Sequence, residues 1–555
     1  MIMKNNIKYI ILALVVAFAS VGCAHFDDIS KNPNALYETN AESFVQPIIY
    51  NTQKTLSSNN DSLFGDLMQY AISTSTSESA QITYNYDISE SRTQGIWNLY
   101  TQFGNAQYML AQARKESNPA MVGVALVLRT LLAQILTDTY GDIPYFKAGL
   151  IALQGNNFSY TAPYDSQKAI YIDLLRSLEE ANACFNKEEA SNFNSMCDYM
   201  YDGDIKKWQR FGNSLYLRLL MRIANKVNEE SFGIISLGEE FGEINVNTKI
   251  NELYECYLSG KGTYPMMQGL DDSARLKFSS TDSALYTSFY STTSGVWREH
   301  IVCNTIKDLM LIDYDSKNEK SCTWDPRYFR MFTYAKSAPT QLTSAELQNG
   351  AFKDGTDSYG FYTRGNTING HIGDLKMDAT YSLLNYDEIL FNFAEAGARS
   401  WIPIGQNASK ELYLEANLQS ILQWQKGWES AADYYMASSP EVTNFIVYLT
   451  NEYDFNNPIE KIVRQKYVAM FWVGIESWAD YRRTGYPILK TNGPAAENKG
   501  ILPTRLRYPA TEAYQNKAYY EEAVNGWLKG DNNMLQDMWW ADTAESQATR
   551  LLGRQ

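Results

Sequence analysis

At 555 residues, 45% of them hydrophobic and 20% charged, the chain has the make-up of a globular protein able to bury a large core. Its formal charge of −15 argues against nucleic acid and anionic lipid surfaces as partners, because both repel an acidic protein. Six cysteines without a C-x-x-C pair provide neither a disulfide framework nor a zinc site of the usual spacing.

The first element is a leader. Lys4 and Lys8 precede an apolar run from Tyr9 to Gly22, short of the ~20 residues that a membrane-spanning helix needs. A basic start, a short apolar middle and a small-residue exit mark a secretory signal over residues 1–22. The exit Ala19-Ser20-Val21-Gly22-Cys23 resembles the lipobox of bacterial lipoproteins, with Ser20 where leucine is usual. There the cysteine becomes the acylated N-terminus. An ordinary signal with an incidental cysteine is the alternative. Residues 23–555 are then one domain, tethered through acyl chains on Cys23. No later apolar run is expected to span a bilayer. Cys184, Cys197, Cys256, Cys303 and Cys322 read mostly as small core residues.

Residues 73–95, "STSTSESAQITYNYDISESRTQG", are polar and weakly periodic, and open a loop-rich insertion at 73–97. "WNLYTQFGNAQYML" then reads as a helix burying Trp97, Tyr100 and Phe103, so Trp97 is equally a loop aromatic and a core residue. "AMVGVALVLRTLLAQILTDTYGDIPYF" sets Val124, Leu128, Leu131, Leu132, Ile135 and Leu136 at helical spacing. It is apolar nearly all round, as a buried helix is, and Gly141 and Pro144 stop it. "YDSQKAIYIDLLRSLEEANACF" starts at Asp165 or Ser166 and carries Ile172, Leu175 and Leu178 on one stripe. "DIKKWQRFGNSLYLRLLMRIANK" is capped by Asp204. Trp208, Phe211, Leu215 and Leu219 point inward, and Arg218 and Arg222 share another face.

From about 228 to 380 the periodicity fades into Gly, Ser, Thr, Asp and Tyr, a second loop-rich insertion and a place for function. Helices resume at about Glu388–Arg399 and, as a single run, at Ile459–Arg483, which begins after a proline and ends in Arg482-Arg483. The reading is a mostly α-helical scaffold, mainly 98–227 and 381–487, carrying two insertions.

Catalysis finds little material. The histidines are His25, His300 and His371, and no nucleophile elbow, zinc-binding H-E-x-x-H, P-loop or dinucleotide fingerprint is present. A glycosidase needs only two carboxylates, but no acidic pair stands out by an apolar flank. "DGD" at 202–204 and "DYDSKNE" at 313–319 lack the spacing of a calcium loop and read as a helix cap and a solvated turn. No metal or cofactor is expected.

Aromatic wealth carries the functional case: tyrosines number 40 against 33 glycines. An aromatic face covers the apolar face of a sugar ring, while a polar edge reaches its hydroxyls. The candidates are Tyr84, Tyr86, Arg92 and Trp97 in the first insertion and Tyr286, Phe289, Tyr290 and Trp297 in the second. The alternative role for these rings is to plug the loops onto the scaffold.

Six blocks between residues 26 and 487 resemble, in order, the SusD/RagB family of outer-membrane lipoproteins. They are "FDDISKNPN", "DTYGDIPYF", "PYDSQKAIYIDLLRSLEEA", "DGDIKKWQRFGNSLYLRLLMRI", "DPRYF" and "VRQKYVAMFWVGIESWADYRRTGYP". The resemblance implies a scaffold of tetratricopeptide-like helix pairs with an irregular ligand-binding half. It also implies a non-catalytic role: holding an oligosaccharide at the cell surface, as the lid of a SusC-like TonB-dependent transporter. In that family acidic residues after the lipidated cysteine direct export to the surface, and Asp27 and Asp28 match approximately. Peptide capture by the same architecture, and a surface glycoside hydrolase, are the alternatives.

Overall fold

The computed structural model describes residues 39–73, 86, 88–150, 153, 159–276, 300–313, 323–331, 382–425, 436–471, 473–489 and 502–552. Cys23 and residues 1–22, expected as a leader, lie outside them. So do Asp27, Asp28 and residues 314–319 of the acidic fragment.

The apolar helix forms at Pro119–Tyr140. Asn118 caps it, its side chain accepting from the Met121 amide at 3.1 Å, and Pro119 occupies the first turn, where a missing N–H costs nothing. Gly141, at φ +87°, ends it; a Cβ there would run into the Trp527 ring. By length and composition this helix could cross a membrane, contrary to the expectation for the chain after Cys23. From Ala120 to Tyr140, however, every residue except Arg129 is buried, so it is the core helix.

Its neighbours stack in chain order. Tyr100–Lys115 and Gln167–Phe185 flank it, Ile205–Ser231 packs beside the latter, and Val246–Ser259 follows. Two glycines permit the close approach: a Cβ on Gly123 would meet the Phe185 ring, and one on Gly212 would meet Val127. Ser166 caps Gln167–Phe185 through the Ala169 amide, and Asp165 instead accepts the amides of Tyr145 and Phe146. Asp204 accepts the amides of Lys206 and Lys207; "DGD" is therefore a cap. Among the described residues no group of three or more His, Cys, Asp or Glu side chains is placed to hold a metal ion. Cys184, Cys256 and Cys303 are buried thiols.

The stretch after 228 is not all loop. Ile205–Ser231 runs into it, and the hairpin Ile234–Ser236/Glu243–Asn245 and the Val246–Ser259 helix continue the scaffold. The second helical half comprises Tyr386–Ala398, Gly405–Gln425, Pro440–Glu452 and Pro458–Ala469. The run expected as one helix over 459–483 breaks near Met470 and restarts as Gly474–Thr484. The break brings the Gly474 amide to Asn60 Oδ1 at 2.8 Å, a contact a continuous helix would not turn to make.

The arginine face of Ile205–Ser231 joins the two halves. Arg218 pairs with Glu388 at 2.6 Å and with Glu476 at 3.4 Å, and Arg222 pairs with Glu476 and lies 3.8 Å from Asp138. The network continues through Lys466–Asp480, Arg483–Asp480, Arg483–Glu395 and Arg399–Glu395. Arg482 and Arg483, expected as helix-end cations, are buried: Arg482 lies over the Trp478 ring and donates to the carbonyls of Asp138 and Thr504.

These pairings set a pH profile. Burial raises the Glu395 carboxyl, but Arg483 and Arg399 outweigh it and hold it at about 2. Burial also opposes ionisation of Glu476 and Asp480, yet their cationic partners keep both below the ordinary range. Burial pushes Asp142 and Asp387 up to about 6. The depressed groups stabilise the fold above their unfolded pKa of roughly 4, and that contribution is lost as pH falls toward 2. The raised pair stabilise it below roughly 4, and that is lost as pH rises through 6. Scanning calorimetry should find the highest midpoint near about pH 5, a modest decline toward neutrality and a steep one below about 4. A midpoint climbing steadily from pH 5 to 8 would contradict this assignment.

Candidate functional site

The two insertions share a root. Ala71–Ser73 pairs antiparallel with His300–Val302, in the register Ala71↔Val302, Ile72↔Ile301 and Ser73↔His300. Ser73 leads into residues 74–85, and His300 closes the segment 277–299. The chain thus enters one segment and leaves the other at a single partnered position.

The scaffold grips that root. The Tyr70 hydroxyl donates to the Tyr467 carbonyl at 2.7 Å and lies 2.6 Å from the Ser477 hydroxyl. The Tyr467 hydroxyl donates to the Met68 carbonyl at 2.8 Å, and the two rings stack at 4.3 Å. Next to Tyr70, Gln69 bridges both insertions. Its amide nitrogen donates to the Tyr86 hydroxyl at 2.7 Å, and its amide oxygen accepts from the Thr305 hydroxyl at 2.6 Å. Tyr86 stands just past residues 74–85, and Thr305 just past the paired strand. Nothing in sequence spacing marks Gln69, Tyr70 and Tyr467 as partners, since nearly four hundred residues separate Tyr70 from Tyr467.

Three of the eight sequence candidates are described. Tyr86 is 2% exposed, and burial raises its phenol well above 10. Trp97 is 7% exposed. It packs edge-on against Tyr140 and Tyr508, with ring centroids at 4.8 and 6.0 Å, and against Tyr100 at 4.8 Å. Neither ring offers an open face to a ligand, so the structure places both in packing. Arg92 is half-buried in the helix Glu90–Trp97. Tyr84, Tyr286, Phe289, Tyr290 and Trp297 lie outside the described residues.

Below Trp97 the packing is aromatic and hydrogen-bonded. Glu512 accepts from the Tyr164 hydroxyl at 2.9 Å and from the Asn516 amide at 3.2 Å. Burial raises its carboxyl, partly offset by these bonds and one from Trp97. Arg505, also buried, lies over the Tyr508 ring at 4.4 Å and donates to the Tyr140 carbonyl at 3.1 Å. Edge-on and tilted rings thus hold Trp97, and Gln69 holds Tyr86.

Residues 33–509 match a SusD-like family described as "Starch-binding associating with outer membrane". The chain belongs to this SusD-like family. Its members are non-catalytic binding proteins. Among solved structures, a SusD homologue from Bacteroides fragilis is 19% identical with a TM-score of 0.69, covering 91% of this chain and 100% of its own. A chitin-binding SusD homologue from Flavobacterium johnsoniae is 21% identical with a TM-score of 0.64, covering 91% and 99%. A chitin-binding protein at 19% identity gives a TM-score of 0.67 over 90% and 99%. What these share with the present chain is the mostly helical SusD-like fold. Among curated proteins, none matches the chain.

Proposed function

We propose that this SusD-like chain is a surface lipoprotein, anchored through Cys23, that captures oligosaccharide and delivers it to a SusC-like TonB-dependent transporter. One observation carries the ligand-binding part: the Ser73↔His300 pairing and the Gln69 bridge root both aromatic-rich insertions on one rigid seat. Tyr84 is two residues from Tyr86 and Trp297 three from His300 in the sequence. The contacting residues in this reading are Tyr84, Tyr286, Phe289, Tyr290 and Trp297, with Arg92, while the buried Tyr86 and Trp97 serve in packing. Stacking of sugar rings on such a surface needs no catalytic group.

Isothermal titration against glycans and peptides tests the cargo, with weak glycan binding and no turnover expected. Product that vanishes when one carboxylate is replaced would instead support a hydrolase. For the anchor, Cys23→Ala should leave the detergent phase; a variant that partitions like the parent would reject acylation at Cys23. The parent should co-purify with a large β-barrel from native membranes.

A further inference from the structure

The end of the helix Ile205–Ser231 carries a residue that its position does not favour. Phe232 follows the last turn at φ +52° and ψ +35°, in the left-handed conformation. Helices commonly end this way on glycine or asparagine, because a bulky side chain is strained there. A buried ring could offset that strain, but Phe232 is 92% exposed. Packing therefore does not account for it, and strained backbone of this kind clusters at functional positions.

The turn is held rather than frayed. The Gly233 amide donates to the Val227 carbonyl at 3.1 Å, and the Gly233 carbonyl accepts the Val246 amide at 2.8 Å. The Ser231 hydroxyl donates to the Ile234 carbonyl at 2.5 Å. Beside the ring, the hairpin Ile234–Ser236/Glu243–Asn245 adds an outward face. Ile235 is buried, so strand alternation turns Ser236 and Ile234, 47% exposed, to the outside. The register Ser236↔Glu243 puts Glu243 on that same face.

Charge says what such a tip fits. Glu229 and Glu230 end the helix, Glu239 and Glu240 occupy the hairpin loop, and all four are exposed, as is Glu243. Nearby cations are engaged. Lys168 and Lys226 pair with Glu230 at 2.9 and 3.5 Å. Arg176, which comes near Gly238, pairs with Asp173 at 3.9 Å. An acidic rim repels anionic lipid, and a second copy of this chain would set glutamate against glutamate. A basic partner is attracted.

We infer that Phe232 and Ile234, rimmed by these glutamates, form a docking tip for a lysine- or arginine-rich amphipathic segment of another protein. The inference is independent of the cargo proposed above.

The test uses the full chain and its Phe232→Asn variant, because asparagine tolerates the left-handed turn. The probe is a labelled amphipathic Lys/Leu peptide, with Lys/Ser and Glu/Leu peptides of equal length as controls, followed by fluorescence anisotropy. The parent should bind the Lys/Leu peptide more tightly than either control, and less tightly as salt rises. Phe232→Asn should weaken that binding about tenfold or more, with a melting midpoint equal to the parent's or slightly higher. The triple variant Glu239→Gln/Glu240→Gln/Glu243→Gln should also weaken it and flatten the salt dependence. Equal binding by Phe232→Asn and the parent, or no preference of the parent among the three peptides, would overturn the inference. A midpoint several degrees lower for Phe232→Asn would reveal a packing ring and overturn it too. A concentration-dependent dimer, or retention by phosphatidylglycerol vesicles, that Phe232→Asn abolishes would assign the tip to self-association or to lipid and overturn the protein partner.

Discussion

Glu476→Ala is expected to cost about 3–5 kcal/mol, because it leaves buried cations without their counter-charge. The burden falls mainly on one of them. Arg218 keeps both oxygens of Glu388, at 2.7 and 2.6 Å, and the Leu383 carbonyl. Among the described residues Arg222 would keep no carboxylate nearer than Asp138 at 3.8 Å, together with the Trp540 ring. It sits between helix 205–231 and the segments 119–140 and 474–484, so the penalty acts where the two halves join. Urea unfolding should show a lower midpoint with an unchanged slope. Glu476→Gln preserves the shape and a site for the Gln134 amide at 2.9 Å, and should cost less. A Glu476→Ala protein within about 1 kcal/mol of the parent would show that the network stabilises little.

The second expectation separates packing rings from stacking rings. Truncating a core aromatic typically costs ~3–5 kcal/mol. Trp97→Ala should pay that cost in stability, because it opens a hole between Tyr100, Tyr140 and Tyr508. Trp208→Ala should behave likewise: its ring is buried and its indole donates to Asp198 at 2.8 Å. Phe471→Ala belongs with them, since its ring meets Tyr70 edge-on at 5.4 Å. Tyr290→Ala and Trp297→Ala should melt near the parent, as surface changes usually stay within about ±0.5 kcal/mol. Their loss should appear in binding, at ~2 kcal/mol or more, roughly thirtyfold. If both instead lower the melting temperature by many degrees and spare binding, they are packing residues and the ligand site lies elsewhere.

Sequence alone determined the elements whose cause is local. The spacing of Val124, Leu128, Leu131 and Ile135 shows a helix buried all round, and Ser166, Asp204 and Gly141 mark ends because each meets backbone groups within a few residues. The family followed from blocks of this kind in order. What tertiary structure decided is everything that depends on which faces meet. Arg218 and Arg222 read as a charged stripe, but their partners Glu388 and Glu476 lie more than 160 residues away. The helix expected over 459–483 breaks because the Gly474 amide answers to Asn60, not to its own turn. Trp97 was evenly poised between loop and core until Tyr140 and Tyr508 closed on it. Gln69 gave no signal at all, because its two partners come from separate insertions. Helical periodicity and capping arise from atoms one turn apart, so they are written in adjacent letters; a contact between distant segments is chosen by the packing of the whole chain, and no short window contains it.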